Sequence, residues 1–102
     1  MFRSTTPELI FKVKNTDINV ADIAICHITV ESADHTHSIL YENPTIDAEN
    51  KTITQYMTQA ETLSFNPGSV LIQLKAKLNS GAVICSDIIV KNMKDILEEA
   101  EL

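Results

Sequence analysis

Residues 70–90 read VLIQLKAKLNSGAVICSDIIV, and this stretch decides the fold. Apolar side chains occupy every second position from Val70 to Leu78, opposite a face that carries Gln and Lys, which is the pattern of a half-buried strand. A turn sequence with Gly81 follows, and glycine supplies the positive φ that short hairpin loops require. A second apolar run, residues 82–90, comes directly after the turn. We therefore predict a β-hairpin late in the chain.

Shorter runs of the same kind precede the hairpin, and turn residues separate them. The run from Ile23 to Glu31 is apolar on both faces, which indicates a central strand. Pro7 stands before the first run and suits the start of an edge strand, where its missing N–H does no harm. Besides the hairpin arms, the predicted strands are Glu8–Lys14, Ile23–Glu31, Thr36–Glu42, a short Thr45–Asp47 and Lys51–Met57.

One helical turn is predicted before the hairpin. Thr58 and Glu61 have the spacing of a capping box, and Asn66-Pro67-Gly68 ends the helix soon afterwards. Six or seven short strands with one helical turn before the penultimate strand predict an all-β, immunoglobulin-like antiparallel sandwich over residues 1–92. A small closed β-barrel is the alternative. Residues 93–102 are predicted to form an acidic, amphipathic C-terminal tail in which Met93, Ile96, Leu97 and Ala100 fall at helical spacing.

Composition and charge exclude several classes of function. The chain has 102 residues, enough for one domain with a single core. Its net charge is −6, and it has no Lys/Arg cluster, so we expect neither nucleic-acid binding nor attraction to an anionic membrane. No apolar run approaches the roughly 20 residues of a transmembrane helix, and no signal-peptide core is present near Met1. We expect synthesis in the cytoplasm, and exit only as part of a particle.

The cysteines and histidines are the remaining candidates for chemistry. Cys26 and Cys85 both lie in apolar strand patterns, so we expect two buried free thiols rather than a cross-sheet disulfide. His35 and His37, beside Asp34 and with His27 on the preceding strand, form the only cluster with metal-ligand character. An exposed turn explains this cluster better than a metal site does, so we expect no metal and no cofactor.

No motif indicates catalysis. Nothing in the chain resembles a nucleophile elbow, an activated cysteine beside a histidine or a glycine-rich phosphate loop. We therefore expect a protein that is not an enzyme. Asp87, inside the last predicted strand, reads as a bulge or as an edge-strand device that discourages further pairing.

The interface candidates lie near the two chain ends and on the first strand. Phe2 precedes any regular pattern, and aromatic residues are enriched at interfaces. The first strand is expected to be an exposed edge. Candidate residues for contact with a neighbouring subunit are Phe2, Met93, Ile96 and Leu97.

Four segments of the chain carry a resemblance: MFRSTTP at 1–7, TQAETLSF at 58–65, the hairpin at 70–90 and KDILEE at 94–99. Together they resemble a family of small proteins encoded by tailed phages and prophages of Gram-positive gut bacteria. The resemblance implies a structural or tail-associated role in a virion, with assembly on copies of the same chain or on other virion proteins. The middle of the chain, with Cys26 and the His35/His37 turn, lies outside the shared pattern.

A soluble bacterial ligand- or peptide-binding module is the alternative. In that case the His35/His37 turn and Tyr41 would lie near the binding site. Thermal stabilisation by zinc would favour this alternative, and the absence of a shift across a panel of metals would remove its best argument.

Overall fold

The computed structural model describes residues 1–14 and 18–99, and it has the predicted all-β sandwich. One sheet has three strands and the other has five. The sequence Asn15-Thr16-Asp17 predicts a turn, and these three residues lie outside the described ranges. The strands are β1 (Glu8–Lys12), β2 (Ile23–Ser32), β3 (Ser38–Tyr41), β4 (Thr45–Asp47), β5 (Thr52–Tyr56), β6 (Gly68–Leu78), β7 (Val83–Cys85) and β8 (Ile89–Met93), with a 3-10 turn at Val20–Asp22 and the helix α1 at Gln59–Leu63.

The sheet order is that of an immunoglobulin-like sandwich. The smaller sheet runs β1-β5-β4, and the larger runs β3-β2-β6, with β7 and β8 sharing the far side of β6. These orders correspond to strands B-E-D and C′-C-F-G of an immunoglobulin domain, in which strand A lies beside B. Within residues 1–14 and 18–99, no strand takes the A position beside β1.

The core forms where the inward faces of the two sheets meet. Strand β2 is central, as predicted, because it pairs with β3 on one side and β6 on the other. Ile28 on β2 and Ile53 on β5 are both fully buried. The other buried hydrophobic residues of this core are Leu9, Cys26, Val30, Tyr41, Met57, Phe65, Val70, Ile72, Leu74, Ala76 and Met93.

The helical turn fixes the entry of β1. Thr58 and Glu61 form the predicted capping box: the Glu61 N–H donates to Thr58 Oγ1 (3.1 Å), and the Thr58 N–H donates to Glu61 Oε1 (2.8 Å). On the same turn, the buried Thr62 hydroxyl donates to the Thr5 carbonyl (2.8 Å) and accepts from the Thr5 N–H (3.1 Å). These bonds hold the segment before β1 against α1.

The prediction of one continuous strand over residues 82–90 is wrong. Cys85 pairs with Lys75 and Ile89 pairs with Ile72, so two residues, 87 and 88, stand opposite Gln73. This is the bulge suspected at Asp87. Ser86 bridges the break, because its N–H donates to the Leu74 carbonyl (2.8 Å) and its hydroxyl accepts from the Leu74 N–H (2.9 Å).

The predicted helical tail is also corrected as far as Glu99. Strand β8 runs on to Met93, and residues 95–99 contain no helix. Ala100, which belonged to the predicted apolar stripe, lies outside the described residues. The tail is held by polar contacts instead of by helical packing.

Candidate docking surface

One side of the sandwich has an unpaired strand edge. Backbone bonds from the Val13 N–H to the Lys51 carbonyl and from the Met57 N–H to the Pro7 carbonyl lie at the two ends of the β1–β5 ladder. Residues of an antiparallel pair alternate in the direction of their backbone groups. The odd-numbered residues of β1 therefore face β5. Glu8, Ile10 and Lys12 point their N–H and C=O groups away from the sheet.

An apolar groove runs beside this edge, between β1 and the strands of the larger sheet. Its first part encloses about 230 Å³ and is lined by Leu9, Phe11, Ile72 and Ile89, among others. A second, separate cavity of about 200 Å³ lies beside Lys12 and Val13, toward β7. Between them, the two cavities border β1 over its whole length, and we refer to them as the first and second parts of the groove. We call the β1 edge together with this groove the open side.

The polar residues around the open side are mostly basic. Glu8 and Lys91 line the first part of the groove, and Lys12 and Lys14 line the second. Glu8 stands opposite Tyr56 in the neighbouring strand. A hydrogen bond with Glu8, followed by the charge of that carboxylate, raises the pKa of Tyr56.

The C-terminal tail is fixed by Arg3. Its Nη1 donates to Asp95 Oδ1 (2.8 Å) and to Glu99 Oε1 (2.6 Å), while Nε donates to the Phe65 carbonyl (2.7 Å). The hydrogen bonds to Glu99 and then Asp95 raise the pKa of Arg3. The pKa of Asp95 is lowered, first by its bond from the Ile96 N–H and then by Arg3.

The four predicted interface residues have different surroundings. Phe2 is half exposed, and the Lys94 ammonium lies 5.3 Å from its ring centroid. Met93 is buried in the core at the end of β8, so its side chain offers no surface to a partner. Ile96 is half-buried and Leu97 is fully exposed. Only Phe2, Ile96 and Leu97 present surface.

The two candidate metal ligands point to different partners. His35 has a left-handed backbone (φ 61°), and its Nδ1 lies 3.1 Å from Glu31 Oε2. His37 Nε2 lies 2.8 Å from Ser64 Oγ, and its ring packs edge-on against Phe65. Over the described ranges, no three His, Cys, Asp or Glu side chains are grouped to hold a metal ion.

The contact between His37 and Ser64 joins the histidine turn to the end of α1. The Ser64 hydroxyl donates its single proton to the Glu61 carbonyl, so His37 Nε2 acts as donor to Ser64 Oγ. In a nucleophilic serine, the hydroxyl would instead donate its proton to the histidine nitrogen, which acts as the base. The neighbouring cleft encloses about 220 Å³, below the roughly 300–1,000 Å³ of usual ligand pockets.

Hydrogen bonds to Asp34 hold the turn that carries the histidines. Asp34 Oδ1 accepts from the Thr36 hydroxyl (2.7 Å), the Ser32 hydroxyl (2.7 Å) and the Thr36 N–H (3.2 Å). These bonds, the Thr36 hydroxyl first, lower the pKa of Asp34 to about 2. Tyr41, expected near a ligand site, is instead buried in the core. Burial raises its pKa, and the Glu61 carboxylate raises it further.

The cysteines are both free, and they lie on opposite faces of the larger sheet. Cys26 pairs with Ala76 on the buried face, and burial raises the pKa of its thiol to about 11. Cys85 pairs with Lys75 on the outward face and is exposed, so the prediction of two buried thiols is wrong for Cys85. A disulfide between them is excluded because their side chains point away from each other.

The outward face of the larger sheet carries apolar residues that sequence reasoning did not single out as a surface. The strand registers place them on this face, and the period of two in β2 and β6 was the signal for it. Its most exposed apolar side chains are Ile25, Leu40, Val83, Ile88 and Val90.

No helix within the described ranges is both long and apolar enough to cross a bilayer. Comparison with protein-family models, with curated proteins and with solved structures finds no match to this chain.

Proposed function

We propose that the protein is a non-enzymatic assembly module of a phage or prophage particle, a structural or tail-associated component that binds copies of itself or other virion proteins. The observation that carries this proposal is the open side. There a regular strand edge with free backbone groups lies next to an apolar groove.

An incoming extended segment finds both requirements of strand addition at the open side. The backbone groups of Glu8, Ile10 and Lys12 supply main-chain hydrogen bonds, and the groove receives alternate side chains. Ile10 is 58% exposed although it sits in the middle of a strand. Natural proteins usually protect such an edge, so an edge left regular is typical of a binding element.

The C-terminal tail adds a second contact element. Arg3 holds Asp95 and Glu99 in place, and this leaves the Leu97 side chain directed into solvent. An ordered, exposed leucine on an acidic segment can pack into an apolar recess of a neighbouring protein. The resemblance to phage structural proteins, which includes this tail sequence, supports a virion as the setting.

Mass spectrometry of purified phage particles tests the proposal. We expect the chain at a fixed copy number per particle when the prophage that encodes it is induced. Leu97→Asp should reduce incorporation, because a carboxylate cannot enter an apolar recess, whereas the neighbouring Glu98→Gln should not. Absence of the chain from intact particles, while it accumulates in the infected cell, would overturn the proposal.

A further inference from the structure

We propose that the open side is occupied by a second copy of this chain, with strand β1 pairing antiparallel to β1 of that copy around a twofold axis at Ile10. This inference rests on the proposed function and names its first partner. It is carried by the sequence of the edge strand, Glu8-Leu9-Ile10-Phe11-Lys12, together with the direction of its backbone groups.

The backbone geometry fits a twofold axis at Ile10. Glu8, Ile10 and Lys12 present their N–H and C=O groups at the free edge, as the bonds at Pro7 and Val13 establish. With the axis at Ile10, Ile10 faces Ile10 of the second copy, and Glu8 faces Lys12 on either side. Each of these three pairs is of the hydrogen-bonded kind and exchanges two bonds. The pairing would join the two smaller sheets into one continuous sheet.

This register sets opposite charges against each other and keeps Ile10 opposite an apolar residue. Glu8 of each copy lies directly across from Lys12 of the other, and opposite charges at such positions stabilise strand pairs. Moving the axis to Leu9 or Phe11 places Ile10 opposite a charged residue instead. Glu8 also stands opposite Tyr56 on its own sheet and raises the pKa of that side chain. A carboxylate has two oxygens, so both contacts are possible at once.

The apolar side chains are complementary as well. Leu9 and Phe11 of the second copy point toward the same side of the joined sheet as the groove lined by Ile72 and Ile89. Leu9 of one copy then stands across from Phe11 of the other. An interface that uses the same patch on both partners closes on itself, so assembly stops at a dimer.

Charge reversal tests the register in the full chain. By analytical ultracentrifugation, we expect Lys12→Glu to raise the dimer dissociation constant about tenfold, because two attractive pairs become repulsive. Glu8→Lys should do the same. The double variant Glu8→Lys/Lys12→Glu should restore dimer formation, while Lys77→Glu, the same charge change on the other sheet, should leave it unaltered. Circular dichroism confirms that each variant is folded.

Cysteine cross-linking tests the axis. In a Cys85→Ser background, Ile10→Cys should form a disulfide-linked dimer under mild oxidation, because the Cα atoms of a hydrogen-bonded pair lie about 5.5 Å apart, within disulfide range. Tyr56→Cys is the matched control, since Tyr56 is 59% exposed on the same face one strand away. Equal cross-linking of the two variants, a chain that stays monomeric at every concentration, or no rescue by the double variant would each overturn the inference. A monomer that still enters particles would leave the proposed function standing, with another virion protein at β1.

Discussion

Two strand edges border the groove, and they differ in regularity. Strand β1 is regular, whereas a bulge interrupts the edge formed by β7 and β8. Residues 86–88 interrupt the second edge, where Asp87 and Ile88 stand opposite a single residue, Gln73. At the far end of β8, the segment Met1–Arg3 pairs with the backbone near Lys94. On β1, the described residues show no bulge, no proline within the strand and no covering segment.

This difference shows which edge is protected against further pairing and which edge is not. A bulge with a charged residue is a known device against edge-to-edge association. The other two edge strands, β3 and β4, are only four and three residues long and offer little to pair with. Strand β8 also has five residues, but the bulge precedes it and Met1–Arg3 pairs at its end. Among the edges of the described residues, β1 is the five-residue strand that neither a bulge nor another segment interrupts.

The largest expected effect is a difference in the free energy of unfolding between substitutions on the inward and outward faces of the smaller sheet. Ile53→Ala is expected to lower the free energy of unfolding by about 2–5 kcal/mol, because it opens a cavity at a fully buried position. Ile10→Ala should change it by no more than about 0.5 kcal/mol in the monomer. Urea denaturation at low protein concentration measures both. Similar losses would show that the outward face of β1 belongs to the core.

Removing the bulge should abolish the difference between the edges. Deletion of Asp87 gives β7 and β8 one common register against β6, which turns the broken edge into a regular one. With two regular edges, the chain is expected to form species larger than a dimer, visible by light scattering. Asp87→Asn, which removes the charge and keeps the bulge, is the control. An unchanged mass for the deletion variant would mean that the bulge does not limit association.

The hydrogen bonds from Arg3 to Asp95 and Glu99 should keep the C-terminal tail ordered. Arg3→Lys keeps the positive charge but loses the planar fork that bonds Asp95, Glu99 and the Phe65 carbonyl at once. We expect several-fold faster amide hydrogen exchange over residues 95–99, with little change at Ile10. Lys94→Arg is the matched exchange in the reverse direction and should leave the tail protected. Equal protection of residues 95–99 in the native chain and in both variants would contradict this role of Arg3.

The smallest effect is expected at Asp34, in the turn that carries the histidines, which takes no part in the proposed pairing of β1. The pKa of Asp34 is lowered to about 2 in the folded chain, so its ionised form is stabilised by folding. That contribution is complete above about pH 4 and is lost as the pH falls toward 2. The melting temperature of the native chain should therefore fall more between pH 4 and pH 2 than that of Asp34→Asn. Parallel curves would contradict this role.

Elements with a clear local signal could be predicted from the sequence. Alternation identified β6, apolar residues on both faces identified β2 as central, and the Thr58–Glu61 spacing identified the capping box. In each case, a residue's role is set by neighbours within a few positions. The edge character of the first strand was indicated in the same way by Pro7.

Features set by distant contacts could not be predicted. Residues 82–90 are apolar without alternation, so nothing local shows which side chains point inward, and Cys85 was assigned to the wrong environment. The tail had helical spacing, but bonds to Arg3, at the other end of the chain, hold it in a different form. The positive φ of His35 had no local signal either, and the two histidines contact different partners, Glu31 and Ser64.

The pairing of the Met1–Arg3 segment with the end of β8 has a mechanical consequence. The two segments run parallel, joined by bonds from the Met1 amino nitrogen to the Asn92 carbonyl (3.0 Å), from the Lys94 N–H to the Met1 carbonyl (2.8 Å) and from the Arg3 N–H to the Lys94 carbonyl (2.9 Å). A pull applied to the chain at Met1 and beyond Lys94 acts along both segments in opposite directions. The three bonds then stretch together instead of opening one after another. Tension carried through the chain therefore meets a shear clamp before it reaches the core.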